Sequence, residues 1–438
     1  MDSANLMKAI RWHPPSYDQR LEDIPTPMLQ HPDDVIVKVA LAGLCGSDLH
    51  IYRGTDKPMA IHTSGHEFVG TVVELGSNYK HSSVNDTKTE GRPSLYDTLK
   101  VGDEVVSAFT SNCGECRLCK QGITCRCPFG LLFGSPRLEG GQAQYVRVPF
   151  GGATLFPTSA LKSEGKSEIA AHSLLLLADI LPTGVYAAIQ ALGHPKLATP
   201  LTGAPWPYSL PGLTTTGAVP RTSAETNDDV LHFAVVGLGP VGMCACVALL
   251  DQLTTRYPTR KWKIVAIDPI ESRRRTLETM YSTIGADGKG TGQGELVVRG
   301  IEEAKTTVSE WTNGEGCCAV LEVVGNASAL NLSYDLVRPF GVITSVGVHP
   351  AKPVGFEGEE LYNKNVSLDF GRCPARAMIE VAAVLLAKRQ DIFGSAPGGS
   401  NSLIEAIEGF KQGPEVVKAI YEKFDKGLVG KIAFDPWA

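Results

Sequence analysis

The spacing of apolar residues divides this chain into two parts. Before about Val185 they alternate with polar residues along short segments such as VIVKVAL (Val35–Leu41) and FVGTVVEL (Phe68–Leu75). That period of two predicts strands with one buried face, and so a mostly β region. Further on the apolar runs become continuous, as in VLHFAVV (Val230–Val236), KIVAID (Lys263–Asp268), CAVLEVVG (Cys318–Gly325) and GVITSVGV (Gly341–Val348). Continuous runs punctuated by glycine predict strands covered on both faces, the rhythm of a parallel sheet. VSLDFG, ending at Gly371, is its expected last strand. No internal repeat or heptad pattern interrupts this division.

One apolar stretch invites another reading. Phe233 to Leu250 is eighteen residues without a charge, long enough to suggest a membrane span. It contains GLGPVG with Pro240 at a turn, however, so a buried strand and its following helix explain it better. Gly237, Gly239 and Gly242 fit G-x-G-x-x-G between that strand and the apolar helix MCACVALLDQL. Glycines there permit a tight turn, close approach of a pyrophosphate, and close packing of helix on strand. The second strand, KIVAID, ends at Asp268, whose carboxylate is placed to accept hydrogen bonds from an adenosine ribose. A 2′-phosphate would meet that negative charge, so NAD is preferred to NADP. Arg273, Arg274 and Arg275 follow at a helix start; solvation explains the run, and Arg273 is kept as a candidate cofactor contact.

Candidate chemistry comes from two sets of metal-type ligands. Cys113, Cys116, Cys119 and Cys127 have the spacing C-x2-C-x2-C-x7-C in NCGECRLCKQGITCRC, which lets one loop wrap a tetrathiolate zinc. A saturated cage leaves no position for substrate, so that metal is expected to be structural; an iron–sulfur cluster is the rival. Cys125 is left over. The second set is dispersed: Cys45 in LAGLCGSDLH, His66 in SGHEF beside Glu67, and Asp179 in the apolar run LLLLADILPTGVYAA. An ionised carboxylate in such a run needs a cation nearby. Three ligands with a fourth position open is the catalytic arrangement for zinc. Taken singly, these residues could instead be a buried thiol, a core histidine and a helix cap.

Together and in this order, the elements resemble the zinc-dependent alcohol dehydrogenases of the medium-chain dehydrogenase/reductase superfamily, over nearly the whole chain apart from two insertions. DILPTGVYAA and FGRCPARA resemble the formaldehyde-dehydrogenase-like branch more than liver-type enzymes, which place cysteine at the Asp179 position. The resemblance implies an α/β fold: a mostly β, GroES-like catalytic domain of residues 1–185 and 372–438, and a Rossmann doubly wound parallel-sheet cofactor domain of residues 186–371. It implies Cys45, His66 and Asp179 as catalytic zinc ligands, Glu67 as the acidic neighbour that can approach the metal, and Ser47 and His50 as a proton relay. Asp48 is implied as the carboxylate that orients the histidine ligand, a local turn residue being the alternative.

The implied reaction is reversible hydride transfer between an alcohol and NAD, giving an aldehyde or ketone, at two sites facing each other across a domain cleft. A polyol or amino-alcohol dehydrogenase and a formaldehyde dismutase would use the same ligands. An inactive zinc-stabilised nucleotide-binding homologue is the reading outside catalysis, and joint retention of Cys45, His66, Asp179 and Ser47 argues against it.

Composition adds limits. The 438 residues, 43% apolar and 20% charged, allow two or three ordinary domains. Net charge of −6 gives no electrostatic case for nucleic acid or an anionic membrane. No leader, retention signal or transmembrane helix is expected, and cysteines in metal-like spacings suit the cytosol. A homo-oligomer, dimer or tetramer, is expected. His81 to Leu99 reads as a polar exposed loop. Gly193 to Asp229, with six prolines and seven threonines, reads as a long insertion that is a loop or disordered, or else a flap or oligomer contact.

Overall fold

The alternating segments of the first part form mainly antiparallel strands. In chain order these are β1 (Leu6–His13), β2 (Asp18–Pro25), β3 (Val35–Gly43), β4 (His62–Thr63), β5 (Phe68–Leu75), β6 (Glu104–Ser107), β7 (Tyr145–Val148) and β8 (Leu155–Pro157). They belong to a computed structural model that describes residues 5–55, 59–79, 91–161, 169–203, 229–288, 294–349 and 355–438. Two units divide the chain: Met1–Pro182 with Pro374–Ala438, and Thr183–Cys373.

In the first unit β1 lies between β2 and β4 in a small sheet. The larger sheet is organised on β3, which pairs with both β5 and β7. Val37 faces Val72 across the first of these pairs, and their side chains join Val35, Val39, Phe68 and Val105 in one buried core. Burying those branched residues on one face is what fixes the register, because a one-residue slip would turn them all to solvent.

The second unit holds the continuous runs: β9 (Val230–Val236), β10 (Lys261–Ile267), β11 (Gly294–Arg299), β12 (Cys317–Glu322), β13 (Val337–Ser345) and β14 (Ser367–Phe370). All pairings are parallel, in the order β11-β10-β9-β12-β13-β14. The helix Pro240–Arg256 follows β9 and buries Met243 through Leu250, so the uncharged stretch is strand, turn and helix. The order reverses at β9, the position at which open parallel sheets bind ligands beyond the strand C-termini.

Pro374–Ala438 then returns to the first unit, where β15 (Ile404–Gly409) and β16 (Lys431–Asp435) extend the sheet to the order β15-β16-β3-β5-β6-β8. Among the described residues no single helix is long and apolar enough to cross a membrane; the apolar pair Ala171–Ala178 and Ile180–Leu192 is bent by 55°.

Two loop expectations need correction. Leu95–Thr98 is a short helix whose Tyr96 is buried, under the guanidinium of Arg92 at 3.9 Å. Pro195–Thr202 is also helical: Pro195 suits the first turn, His194 accepts from the Lys196 N–H, and Gly203 ends the helix at φ 77°. Leu197 and Leu201, one turn apart, are buried and supply the reason. Residues 81–90 and 204–228 of the two predicted insertions lie outside the described residues.

Candidate active site

Strand ends assemble the dispersed ligand set. Cys45 follows β3, His66 precedes β5, and Asp179 separates the 3₁₀ segment Ala171–Ala178 from the helix Ile180–Leu192. Although Asp179 is 134 residues from Cys45, its Oδ2 lies 3.8 Å from Cys45 Sγ and 3.4 Å from His66 Nε2. A tetrahedral zinc with ordinary bond lengths separates such donors by about 3.3–3.8 Å. The donor types and spacings therefore fit zinc, and Glu67 belongs to the same group, with all donor atoms within 4.8 Å of one another.

Neighbouring groups hold this geometry. Asp48 accepts from the Cys45 N–H at 2.9 Å through one oxygen, and its other oxygen lies 2.9 Å from His66 Nδ1. A carboxylate can only accept, so it places a proton on Nδ1 and leaves the Nε2 lone pair for a metal. Burial alone would lower the His66 pKa, but Asp48 and Asp179 hold it well above the usual imidazole range. Zinc would replace that proton. Ser47 Oγ sits 3.4 Å from Cys45 Sγ and 3.3 Å from His66 Nε2, directly at the ligand set. His50 lies in the helix Asp48–Tyr52; among the described hydrogen bonds none joins its ring to Ser47.

The structure also brings in residues that the sequence pattern did not single out. Lys431, on β16, is buried and paired with the Glu67 carboxylate through Oε2. Glu67 Oε1 is buried with no partner among the described groups. Burial raises the Glu67 carboxyl against the pull of Lys431. Gly43 is required here, because a side chain on it would overlap the Glu67 carboxylate. Gln142 donates to the Gly43 carbonyl at 2.9 Å and accepts from the Tyr421 hydroxyl, bracing the end of β3. A lysine opening the otherwise apolar KIAF run was the available signal for Lys431; nothing in the sequence paired it with Glu67.

The second ligand set is local. Sulfurs of Cys113, Cys116, Cys119 and Cys127 lie within 4.8 Å of one another, and those of Cys113 and Cys127 are 3.6 Å apart. That separation is far beyond a disulfide and near the ~3.8 Å edge of a zinc tetrathiolate. Backbone N–H groups of Cys113, Cys116 and Cys119 each donate to a ligand sulfur at 3.4 Å. The Cys119 N–H, chiefly, brings the Cys116 thiol down to about 7. Such bonds favour thiolates, the form that binds metal.

In the second unit the glycine turn is built for close approach. Gly237 has φ 99°, and a side chain on Gly242 would overlap the Gly237 carbonyl, whereas one on Gly239 would point into open space. That opening, at the N-terminus of the helix Pro240–Arg256, fits a pyrophosphate. Asp268 is buried and accepts from the Leu238 and Ile270 N–H groups, both at 2.8 Å, one per oxygen. Each oxygen retains a lone pair for a ribose hydroxyl. Arg273 reaches to 3.6 Å of Asp268; Arg274 instead bonds the Asp268 and Pro269 carbonyls, and Arg275 pairs with Glu271.

Comparison with known proteins identifies the family. Residues 31–158 match the family described as alcohol dehydrogenase GroES-like domain, and residues 259–388 match zinc-binding dehydrogenase. The chain is 35% identical over 434 residues to zinc-type alcohol dehydrogenase B of Aspergillus flavus, covering 99% of this chain and 82% of that protein. It is 26% identical to the formaldehyde dismutase of Pseudomonas putida, over 96% of this chain and 95% of that one. Among solved structures, an alcohol dehydrogenase from Thermus sp. ATN1 aligns with a TM-score of 0.69 at 25% identity, covering 98% of this chain and 99% of its own.

Proposed function

The chain belongs to the zinc-type alcohol dehydrogenases, and from that premise we propose that it transfers hydride reversibly between a small alcohol and NAD at the Cys45–His66–Asp179 site. Zinc-dependent alcohol oxidoreduction with a nicotinamide cofactor comes with the family. Two zinc ions per chain, one structural and one exchangeable, and NAD in preference to NADP, are our reading. When bound, zinc supplies Lewis acidity and the dinucleotide supplies the hydride acceptor.

The chain's own residues do the rest. Cys45, His66 and Asp179 would hold the catalytic metal, with Asp48 fixing the histidine tautomer. Ser47 Oγ, at the ligand set, would take up the substrate hydroxyl proton as it passes its own on, and His50, which no described hydrogen bond joins to Ser47, would carry it toward solvent. Lys431 keeps the Glu67 carboxylate charged-paired in a buried position beside the metal ligands. Asp268 would take the adenosine ribose, and its charge disfavours a 2′-phosphate.

The observation that carries this reading is the convergence of Asp179 Oδ2 on Cys45 and His66 at zinc-ligand separations. Absorbance at 340 nm with NAD and a panel of primary, secondary and polyhydroxy alcohols tests it. Growth of the reduced cofactor's signal with at least one class is expected, and silence with all of them, at full zinc content, would reject it. The similarity to formaldehyde dismutase favours a second reading, in which formaldehyde is converted to methanol and formate with no net release of NADH. A cytosolic homo-oligomer, dimer or tetramer, completes the proposal; thiolate ligand sets suit a reducing compartment.

A further inference from the structure

The second unit contains a cluster of polar side chains that none of the roles above uses. Glu322 ends β12 and Ser345 ends β13; His349 lies four residues beyond Ser345. Glu322 is fully buried. Its Oε1 accepts from the Val324 and Gly325 N–H groups at 2.9 and 2.7 Å. Its Oε2 accepts from Ser345 Oγ at 2.6 Å and lies 3.1 Å from His349 Nε2. Ser345 Oγ is also 3.0 Å from that nitrogen.

Serine, histidine and an acid suggest a nucleophilic triad, but the geometry forbids one. Both contacts use Nε2, so no proton path runs from the serine through the ring to the carboxylate. What the cluster does is orient His349. A carboxylate can only accept, so Nε2 carries the proton, and in the neutral form of the ring the acceptor lone pair is then on Nδ1. Among the described residues no group bonds to Nδ1. The ring is further held against Phe370, with centroids 4.5 Å apart, and the loops beneath it are locked: the Val346 N–H donates to the Glu322 carbonyl, and Gly325 and Gly347 touch backbone to backbone.

Its position follows from the strand order. With a pyrophosphate on the turn after β9 and adenosine on Asp268 at the end of β10, the other nucleoside must extend to the opposite side of β9, over β12 and then β13. Strands about 4.8 Å apart put β13 about 10 Å from β9, so the ribose falls over β12 and the base, farther from the pyrophosphate, over β13. His349 stands there. We propose that His349 is a cofactor-binding residue whose Nδ1 accepts a hydrogen bond from the carboxamide NH2 of the nicotinamide. This rests on the dinucleotide reading given above.

Calorimetric titration of the zinc-loaded full chain with NAD and with 3-acetylpyridine adenine dinucleotide, whose methyl ketone has no N–H to donate, tests it. His349→Phe, which keeps the ring stack, should bind NAD roughly fivefold to tenfold more weakly and bind the analogue as wild type does. His349→Gln, with a carbonyl acceptor, should recover part of the loss. Equal losses for both dinucleotides would mean a merely structural role, and no loss for NAD would mean no contact; either overturns the proposal. Should His349→Phe fail to fold, the Nδ1 resonance of 15N-histidine-labelled wild type decides: it should move with NAD and not with the analogue, and equal movement overturns the proposal. A wild type that binds neither dinucleotide would overturn the underlying reading instead.

Discussion

The two ligand sets of the first unit differ in donors, four sulfurs against one sulfur with an imidazole and carboxylates, and are organised in opposite ways. The tetrathiolate loop draws all four sulfurs from Cys113 to Cys127 and orders them with its own backbone N–H groups. The other set joins Cys45, His66 and Asp179 from distant segments and is held by side chains, Asp48 at the histidine and Lys431 at Glu67. A self-contained loop of four sulfurs would saturate its metal and contribute stability. A site built across strand ends would keep a position open and depend on the fold rather than create it.

The largest effect that separates them is on folding. Binding free energy at a structural zinc is folding free energy, of the order of 10 kcal/mol, so Cys113→Ser should sharply reduce soluble yield and melting temperature. Asp179→Asn should leave melting close to wild type while activity is lost. Wild-type melting of Cys113→Ser would break the comparison.

Lys431→Met probes the support of the dispersed set. It leaves Glu67 buried without its cation, which should cost about 3–5 kcal/mol in chemical denaturation, and adding Glu67→Gln should restore part of it. No recovery in the double variant would mean that Lys431 acts through packing alone.

Ser47→Ala should lower turnover roughly a hundredfold or more, equivalent to about 3 kcal/mol, with zinc content and folding unchanged. Loss of zinc along with turnover would make Ser47 a support for the ligands instead of a proton acceptor. Smallest is Asp268→Ala, expected to shift the ratio of catalytic efficiencies for NAD over NADP by about tenfold toward NADP. Because Asp268 also holds the Leu238 N–H of the glycine turn, NAD binding itself should weaken, which titration with each cofactor separates.

How much of this was legible in the sequence follows the same contrast. The clustering of the four cysteine sulfurs could be read outright, since they share one short segment. So could β9 with its glycine turn and the strands β10, β12, β13 and β14, where local pattern and tertiary environment agree; β11 (Gly294–Arg299) was not singled out. Asp179 was visible only as a charge out of place in an apolar run. Lys431 and Gln142 were not visible as partners, because Lys431 meets Glu67, and Gln142 meets Gly43 and Tyr421, only through contacts between segments far apart along the chain. Glu322 and His349 were hidden for a related reason: one closes an ordinary strand and the other lies four residues past the end of the next, and only parallel pairing of β12 with β13 makes them neighbours. The helices at Leu95–Thr98 and Pro195–Thr202 were missed because proline and polar residues masked the buried Tyr96, Leu197 and Leu201.

The central claim, that alcohol chemistry belongs to the open site and stability to the closed one, is tested most directly by timed chelation of the purified protein. Elemental analysis and NAD-linked alcohol oxidation are followed on the same samples. About two zinc ions per chain are expected at the start, with loss of about one under mild chelation, activity falling in proportion and melting unchanged, and recovery of activity when zinc is returned. Full activity after loss of the exchangeable zinc, or iron in place of zinc in the cysteine loop, would contradict it.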